Sequence, residues 1–237
     1  MPVQVLISNS MRFLMPALGS CVLHVRSKQK QFSHQGLGAL AQGRTTIRKI
    51  NDLNTRQQLH TASLVAADLL TAEDKDDDGV PLIKPVSCGR DGEAPLIVRL
   101  PTLREEAAEV AERLSAAHRE GHAWGDMAIL CRHWSEMDLC ADALTRRGLP
   151  RQVRKKAGQF DSGHDSIKVM SLHASKSLKF PVVALVGVGN MPAEGEDERE
   201  EARLFYVGAT RATQRLVIVA TGNGGFASRF ETYSRRK

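Results

Sequence analysis

The segment IKVMSLHASKSLKF, residues 167–180, places polar and basic side chains directly after a short apolar run. Ser171 offers a hydroxyl, His173 an imidazole and Lys176 an ammonium group. These groups suit a phosphate backbone or a nucleotide, because charged donors form strong hydrogen bonds with phosphate oxygens. A solvated polar loop is the alternative, and the spacing alone does not separate the two interpretations.

A second candidate is Arg211, which follows Thr210 in the segment EEARLFYVGATRATQRLVIVA, residues 200–220. An arginine that reaches a γ-phosphate can contribute about 10³–10⁵ in rate. An arginine near a helix end can instead bind the terminal carbonyl groups or lie in solvent. Both interpretations of Arg211 remain open at the level of spacing.

Short apolar strands alternate with amphipathic helices around these residues. Strands of this kind, between helices of about 12 to 18 residues, are typical of a parallel sheet covered on both faces. Ligands bind at the carboxyl ends of such strands, where His173, Ser175 and Lys176 are expected. The pattern does not say whether Arg211, predicted to end the last helix, reaches the same crevice. Helices are predicted over 55–71, 102–118, 135–147 and 197–212, with Thr55, a Thr102–Glu105 capping box and Ser135 at three starts, and strands over 94–100, 127–132, 167–171, 182–188 and 215–220.

The composition is that of an ordinary globular protein with a modest basic excess. The 237 residues are 42% hydrophobic and 25% charged, and the net charge is +6. This charge suits a polyanionic partner without proving one. The four cysteines do not form a zinc pattern, and no apolar run reaches membrane-spanning length. We therefore expect buried thiols in a cytoplasmic protein without a membrane partner.

Two familiar motifs are present only in part. The stretch GALAQGRT, residues 38–45, nearly fits the phosphate-binding loop GxxxxGK[ST], but Arg44 replaces the lysine and no strand precedes it. The stretch DKDDDG, residues 74–79, resembles the start of a calcium loop, but Pro85 stands where a bidentate glutamate is needed. Neither stretch is predicted to bind its ligand.

Four segments, in the same order, resemble motifs of UvrD/Rep-type DNA helicases of superfamily one. They are GRTTIRKINDLNT, GDMAILCRHWSEMDLCADALTRRGLP, HASKSLKFPVVALVGVG and EEARLFYVGATRATQRLVI, which together span about 43–220. The resemblance implies a RecA-like parallel sheet with helices on both faces, the second motor domain of a P-loop NTPase-type helicase, over 46–237. The segment over 1–45 is expected to be poorly ordered or a remnant.

The resemblance also assigns roles to individual residues. Arg211 matches the arginine finger, which makes it the catalytic candidate. A first motor domain would have to supply the Walker A loop and Mg²⁺, so ATP/Mg²⁺ is expected only with a separate Walker A-containing helicase subunit. Single-stranded DNA is the other expected partner. The implied nucleotide-binding residues are Arg211, Lys176 and Lys179, and the implied DNA-binding residues are Ser171, His173 and Arg132.

The chain departs from the family pattern at four positions. Asp52 and Leu53 stand where the family has a tyrosine and an arginine. Ser177 replaces a glycine, which would be strained if the backbone there requires a positive φ. Lys179 replaces a glutamate that accepts hydrogen bonds from the nucleotide sugar, and a lysine cannot accept them. The fold and some affinity for polyanions are expected to remain, but not the complete catalytic set.

Three hypotheses follow from this pattern. The chain is the motor half of a helicase, either a split subunit or a truncated remnant, without activity of its own. It is instead a nucleic-acid-binding or regulatory module that does not use ATP. It is otherwise a structural α/β domain without a ligand. The small number of aromatic residues, seven Phe, two Tyr and two Trp, favours the first over the second, because bases of single strands stack on aromatic rings.

Overall fold

The computed structural model describes residues 50–51, 54–66, 68–70, 86–87, 90–154, 161, 163–222 and 225–230. All of these residues lie in one compact unit, residues 49–237. The segment over 1–45, the two partial motifs, and Asp52 and Leu53 lie outside the described residues.

The described elements are mainly strands and helices in alternation. In chain order they are β1 (Ile50–Asn51), α1 (Arg56–Ala66), β2 (Val86–Ser87), β3 (Leu96–Leu100), α2 (Leu103–Arg119), β4 (Met127–Cys131), α3 (Trp134–Arg146), β5 (Arg151–Arg154), β6 (Ile167–Ser171), β7 (Phe180–Val186), α4 (Glu198–Ala209) and β8 (Ala212–Thr221).

Six of these strands form one parallel sheet in the order β3-β8-β7-β4-β6-β5. Side chains alternate along each strand, so every strand buries residues on both faces. In β4, Ala128 and Leu130 face α1 and α4, whereas Met127, Ile129 and Cys131 face α2 and α3. The predicted α/β fold, a parallel sheet covered on both faces, is confirmed.

Two of the three predicted helix starts are confirmed. The Thr55 hydroxyl accepts from the Gln58 amide at 3.2 Å, and the Gln58 side chain accepts from the Thr55 amide at 3.0 Å. Thr102 and Glu105 form the expected capping box at α2. The prediction of Ser135 as the cap of α3 is wrong, since α3 begins at Trp134 after His133.

The prediction that Arg211 ends the last helix is also wrong. Helix α4 ends at Ala209, and β8 begins at Ala212. Thr210 and Arg211 therefore form the turn between the two elements. Backbone pairing with β7 extends β8 toward this turn, because the Phe180 amide donates to the Arg211 carbonyl at 3.0 Å.

Strand β5, Arg151–Arg154, was not predicted. Its sequence RQVR contains three polar residues, so it lacks the apolar run that marks the other strands. It lies at the edge of the sheet and pairs only with β6, with Val153 opposite Val169. An edge strand buries little surface, and backbone pairing is enough to hold it in place.

The connection between β6 and β7 contains a strained residue. Ser177 has a φ of 64° and is the non-glycine residue with a positive φ among those described. Left-handed backbone brings Cβ too close to the following carbonyl oxygen. The expectation that a serine at this glycine position would be strained is therefore confirmed.

Replacing Ser177 by glycine should raise the free energy of unfolding by about 0.5–1 kcal/mol, because the strain relieved exceeds the extra chain entropy of glycine. Chemical denaturation of the purified chain measures the difference. Ser177→Ala is the matched control, since it removes the hydroxyl but keeps Cβ and should give no gain. Equal stability of the two variants would contradict the strain argument.

Candidate functional site

The candidate residues lie at the two opposite ends of the strands, which are called the carboxyl edge and the amino edge of the sheet. Since all six strands are parallel, their carboxyl ends share one edge and their amino ends the other. Cys131 at the end of β4 pairs with Ser171 at the end of β6, which places Arg132 and Ser171 at the carboxyl edge. Phe180 pairs with Ala212, which places Lys179 and Arg211 side by side at the amino edge.

At the carboxyl edge, Arg132 is held by an acidic partner from α4. Its Nε donates to Glu201 Oε1 at 2.6 Å, and Nη2 lies 3.7 Å from Glu196 Oε1. The side chain of Arg132 is 17% exposed and that of Glu201 only 2%. The guanidinium of this predicted DNA-binding residue is therefore already engaged within the domain.

Two further buried carboxylates support this edge, and sequence reasoning missed both. Glu136 accepts from the backbone amides of Arg132 and His133 at 2.9 and 3.0 Å. Glu106 accepts from the Gly187 amide at 2.8 Å and from the Thr221 hydroxyl. Burial raises the pKa of both glutamates. Their role here is to hold the ends of β4, β7 and β8 in register.

Gly187 is required where these carboxylates meet. Its φ is 78°, and a Cβ at this position would lie 2.2 Å from Glu136 Oε1. A glycine is therefore needed both for the backbone conformation and for the close approach of the carboxylate.

The connection over 172–179 leads from the carboxyl edge to the amino edge. The Ser171 hydroxyl accepts from the Ala174 amide at 3.2 Å, and the buried Ser175 hydroxyl donates to the Leu172 carbonyl at 2.6 Å. His173 and Lys176 are exposed. The hydrogen bonds of the two serines therefore shape the loop, and the imidazole and the ammonium group lie at the surface.

At the amino edge, the guanidinium of Arg211 donates only to neutral oxygens among the described residues. Nε donates to the Val207 carbonyl at 2.8 Å, Nη1 to the Leu178 carbonyl at 3.3 Å, and Nη2 to the Thr210 hydroxyl at 3.3 Å. Burial lowers the pKa of Arg211 to about 10. Burial also raises the pKa of the neighbouring Tyr206 to about 12, so this phenol is neutral near pH 7.

Lys179 lies beside Arg211 in the same environment. Its ammonium group donates to the Thr210 carbonyl and, at 3.3 Å, to Asn54 Oδ1. Burial, followed by the positive charge of Arg211, lowers the pKa of Lys179 to about 7. Two half-buried basic groups therefore lie together at this edge, and both are fully charged only below about pH 7.

Asn54 connects this site to α1, and its role was not predicted. Its Nδ2 donates to the carbonyls of Thr210 at 3.0 Å and Ala212 at 2.5 Å. Asn54 is polar but fully buried. Its burial is tolerated because the amide nitrogen donates to the turn before β8 and the amide oxygen accepts from Lys179. Its position at the end of the segment GRTTIRKINDLNT was the available signal.

Trp134 is a second residue that sequence reasoning did not place. It begins α3 two residues after Arg132, and it is 58% exposed. Tryptophan side chains are usually well buried. An exposed tryptophan is therefore a candidate for contact with a binding partner.

Residues 152–223 match the UvrD-like helicase C-terminal domain family. The resemblance stated from the motifs is thereby confirmed. The matched stretch contains the carboxyl-edge loop and both amino-edge cations, whereas Arg132 and Asn54 lie outside it.

Curated relatives share the UvrD-like segment at substantial identity. The chain is 44% identical over 68 residues to DNA helicase II of Escherichia coli K12, which covers 26% of this chain and 9% of that protein. It is 48% identical over 63 residues to the ATP-dependent DNA helicase PcrA of Bacillus subtilis 168, which covers 24% of this chain and 8% of that protein. The chain thus spans about a tenth of the length of these relatives.

A solved structure resembles this chain in fold over most of its length. The C-terminal domain of a possible DNA helicase from Lactobacillus plantarum WCFS1 matches with a TM-score of 0.54 at 19% identity. The match covers 76% of this chain and 94% of that one, and it supports the RecA-like fold. Among the described residues, no helix is long and apolar enough to cross a membrane.

The depressed pKa of Lys179 predicts a pH-dependent stability. The group is protonated in the unfolded chain up to about pH 10.4 but loses its proton in the folded chain near pH 7. Stability should therefore rise with pH between these values and be lowest below pH 7. Lys179→Met should be more stable than the natural chain at pH 6–7, and the difference should vanish above pH 10. Denaturation at several pH values measures this effect, and a difference that does not depend on pH would contradict it.

The Arg132–Glu201 pair predicts a large loss of stability when one partner is removed. Arg132→Met should lower the free energy of unfolding by about 3 kcal/mol, because it leaves the Glu201 carboxylate buried without its cation. The double variant Arg132→Met/Glu201→Met should recover at least half of the loss. Arg113→Met, which breaks the exposed pair with Glu109, is the control and should cost less than about 1 kcal/mol. Additive effects in the double variant would contradict the coupling.

Proposed function

We propose that this chain is the second motor half of a UvrD/Rep-like ATP-dependent DNA helicase, completed by a separate first motor domain. In this role the amino edge closes over ATP, and the carboxyl edge grips single-stranded DNA. The chain alone would not hydrolyse ATP, because the Walker A loop and the residues that hold Mg²⁺ would belong to the first motor domain.

The state of Arg211 is the observation that carries this proposal. Its guanidinium is half-buried, contacts only neutral oxygens among the described residues, and has its pKa lowered by burial. An arriving anion stabilises such a cation strongly, because folding has already removed much of the water around it. A γ-phosphate would supply this anion, and Arg211 would stabilise the negative charge on its oxygens. Exposed Lys176 and half-buried Lys179 would supply further positive charge to the nucleotide.

The proposed DNA grip uses the opposite edge. Ser171 and exposed His173 follow β6, and they offer a hydroxyl and an imidazole to phosphates. Arg132 would act less as a direct contact than as a positioning residue, since its guanidinium is paired with Glu201. The exposed ring of Trp134 offers a stacking surface for a base on the same edge.

Complementation tests the proposed function. The chain is mixed with a separately expressed first motor domain of a UvrD-like helicase, and phosphate release is measured with and without a single-stranded oligonucleotide. The chain alone should release none, and the mixture should show DNA-stimulated hydrolysis. Arg211→Ala should lower the rate of the mixture by about 10³-fold or more. Arg146→Ala, which changes an exposed arginine in the last turn of α3, is the control and should leave the rate unchanged.

Two results would contradict the proposal. Hydrolysis by the chain alone that disappears in Arg211→Ala would mean that this chain holds a complete ATP site. No hydrolysis with any first motor domain, together with single-strand binding that weakens steeply as salt increases, would support the ATP-independent nucleic-acid-binding or regulatory module instead.

A further inference from the structure

Lys179 and Arg211 are two cations that flank the same residue at the amino edge. The ammonium group of Lys179 donates to the Thr210 carbonyl, and Arg211 Nη2 donates to the Thr210 hydroxyl at 3.3 Å. The strand register that pairs Phe180 with Ala212 holds both residues immediately before their strands. The two positive charges are therefore adjacent because of the backbone and not because of a chance side-chain conformation.

Neutral groups alone contact the two cations among the described residues. The acceptors are the Asn54 amide oxygen, the carbonyls of Val207, Leu178 and Thr210, and the Thr210 hydroxyl. Tyr206, the titratable neighbour of Arg211, is neutral near pH 7. Adjacent, half-buried like charges repel each other. An anion bound between them would attract both and offset this repulsion.

The site contrasts with the carboxyl edge of the same sheet. There the half-buried Arg132 is balanced by the buried carboxylate of Glu201 at 2.6 Å. At the amino edge, two cations have no such carboxylate among the residues that the structure describes. A ligand with at least two negative oxygens would balance both positive charges at this edge.

We infer that Lys179 and Arg211 form one phosphate-binding site that recognises the polyphosphate chain of a nucleotide and not its base or sugar. This inference rests on the proposed function for the assignment of the amino edge to a nucleotide. Lys179 and Arg211 offer donors, and an anionic phosphate oxygen is a stronger acceptor for them than a neutral sugar hydroxyl, whose own proton would find no acceptor from these two side chains. Two acceptors beside the site, Asn54 Oδ1 and the Thr210 carbonyl, already accept from Lys179.

Calorimetric titration of the isolated chain tests this site with defined ligands. Inorganic tripolyphosphate, ATP and GTP should bind with dissociation constants within about threefold of each other, because they present the same chain of phosphates. Adenosine should not bind. Lys179→Gln should weaken the binding of all three anions by about tenfold or more, since it removes a charge-assisted hydrogen bond. Arg211→Gln should weaken them similarly.

A matched control separates this site from the general positive charge of the chain. Arg104→Gln removes the same charge from the exposed first turn of α2, which follows the carboxyl end of β3 at the opposite edge. Its affinity for tripolyphosphate should equal that of the natural chain. Thermal melting of each variant checks folding, and Lys179→Gln should be at least as stable as the natural chain because it removes a buried cation.

Four results of the titrations would overturn the inference. They are unchanged tripolyphosphate affinity in Lys179→Gln, a loss of affinity in Arg104→Gln as large as that in Lys179→Gln, ATP binding more than about tenfold tighter than tripolyphosphate binding, and no binding of tripolyphosphate at all. Displacement of tripolyphosphate by a short oligothymidylate would assign the site to the phosphates of nucleic acid, which also overturns it.

The titration needs no partner, so its failure is distinguishable from failure of the proposed function. If complementation succeeds but anion binding does not depend on Lys179, the proposed motor function is supported and the phosphate-binding site is contradicted. If anion binding depends on Lys179 but complementation fails, the phosphate-binding site is supported and the proposed motor function is contradicted.

Discussion

The parallel register of β7 with β8 is the constraint on which the amino-edge site depends. Because Phe180 lies opposite Ala212, the residues before the two strands, Lys179 and Arg211, must be neighbours. The same parallel order sends the ends of β4 and β6 to the other edge of the sheet. A strand of five residues is about 16 Å long, so side chains at one edge do not reach those at the other. Backbone geometry therefore separates Lys179 and Arg211 from Arg132 and Ser171.

Desolvation acts differently at the two edges. At the carboxyl edge, the buried carboxylates of Glu106 and Glu136 accept from backbone amides, and Glu201 is paired with Arg132. Each of these carboxylates has a donor inside the domain, although burial raises the pKa of Glu106 and Glu136 and Glu201 Oε2 has no hydrogen-bond donor among the described residues. At the amino edge, Lys179 and Arg211 have been moved partly out of water without gaining a carboxylate among the described residues. This arrangement costs stability in the isolated chain, and an arriving anion would recover that free energy.

Most of the described elements were predictable because they are long, periodic and capped by local hydrogen bonds. Helix α2 shows this most clearly, since the Thr102–Glu105 capping box sets its start and its apolar positions recur at helical spacing. The failures have local causes as well. Strand β5 has no apolar run, because it is an edge strand that backbone pairing holds. Helix α3 starts before Ser135, because the buried carboxylate of Glu136 replaces the expected hydroxyl cap.

The sequence by itself determined the α/β fold, the family resemblance and the identity of the candidate groups, because these depend on residue type, order and periodicity. It also indicated that position 177 carries a strained serine if its backbone is left-handed. Only the tertiary structure decided which groups meet. It paired Arg132 with Glu201, 69 residues away, and it joined Asn54 to the turn before β8, 156 residues away. Such contacts arise from the order of strands in the sheet, and no local pattern along the chain encodes that order.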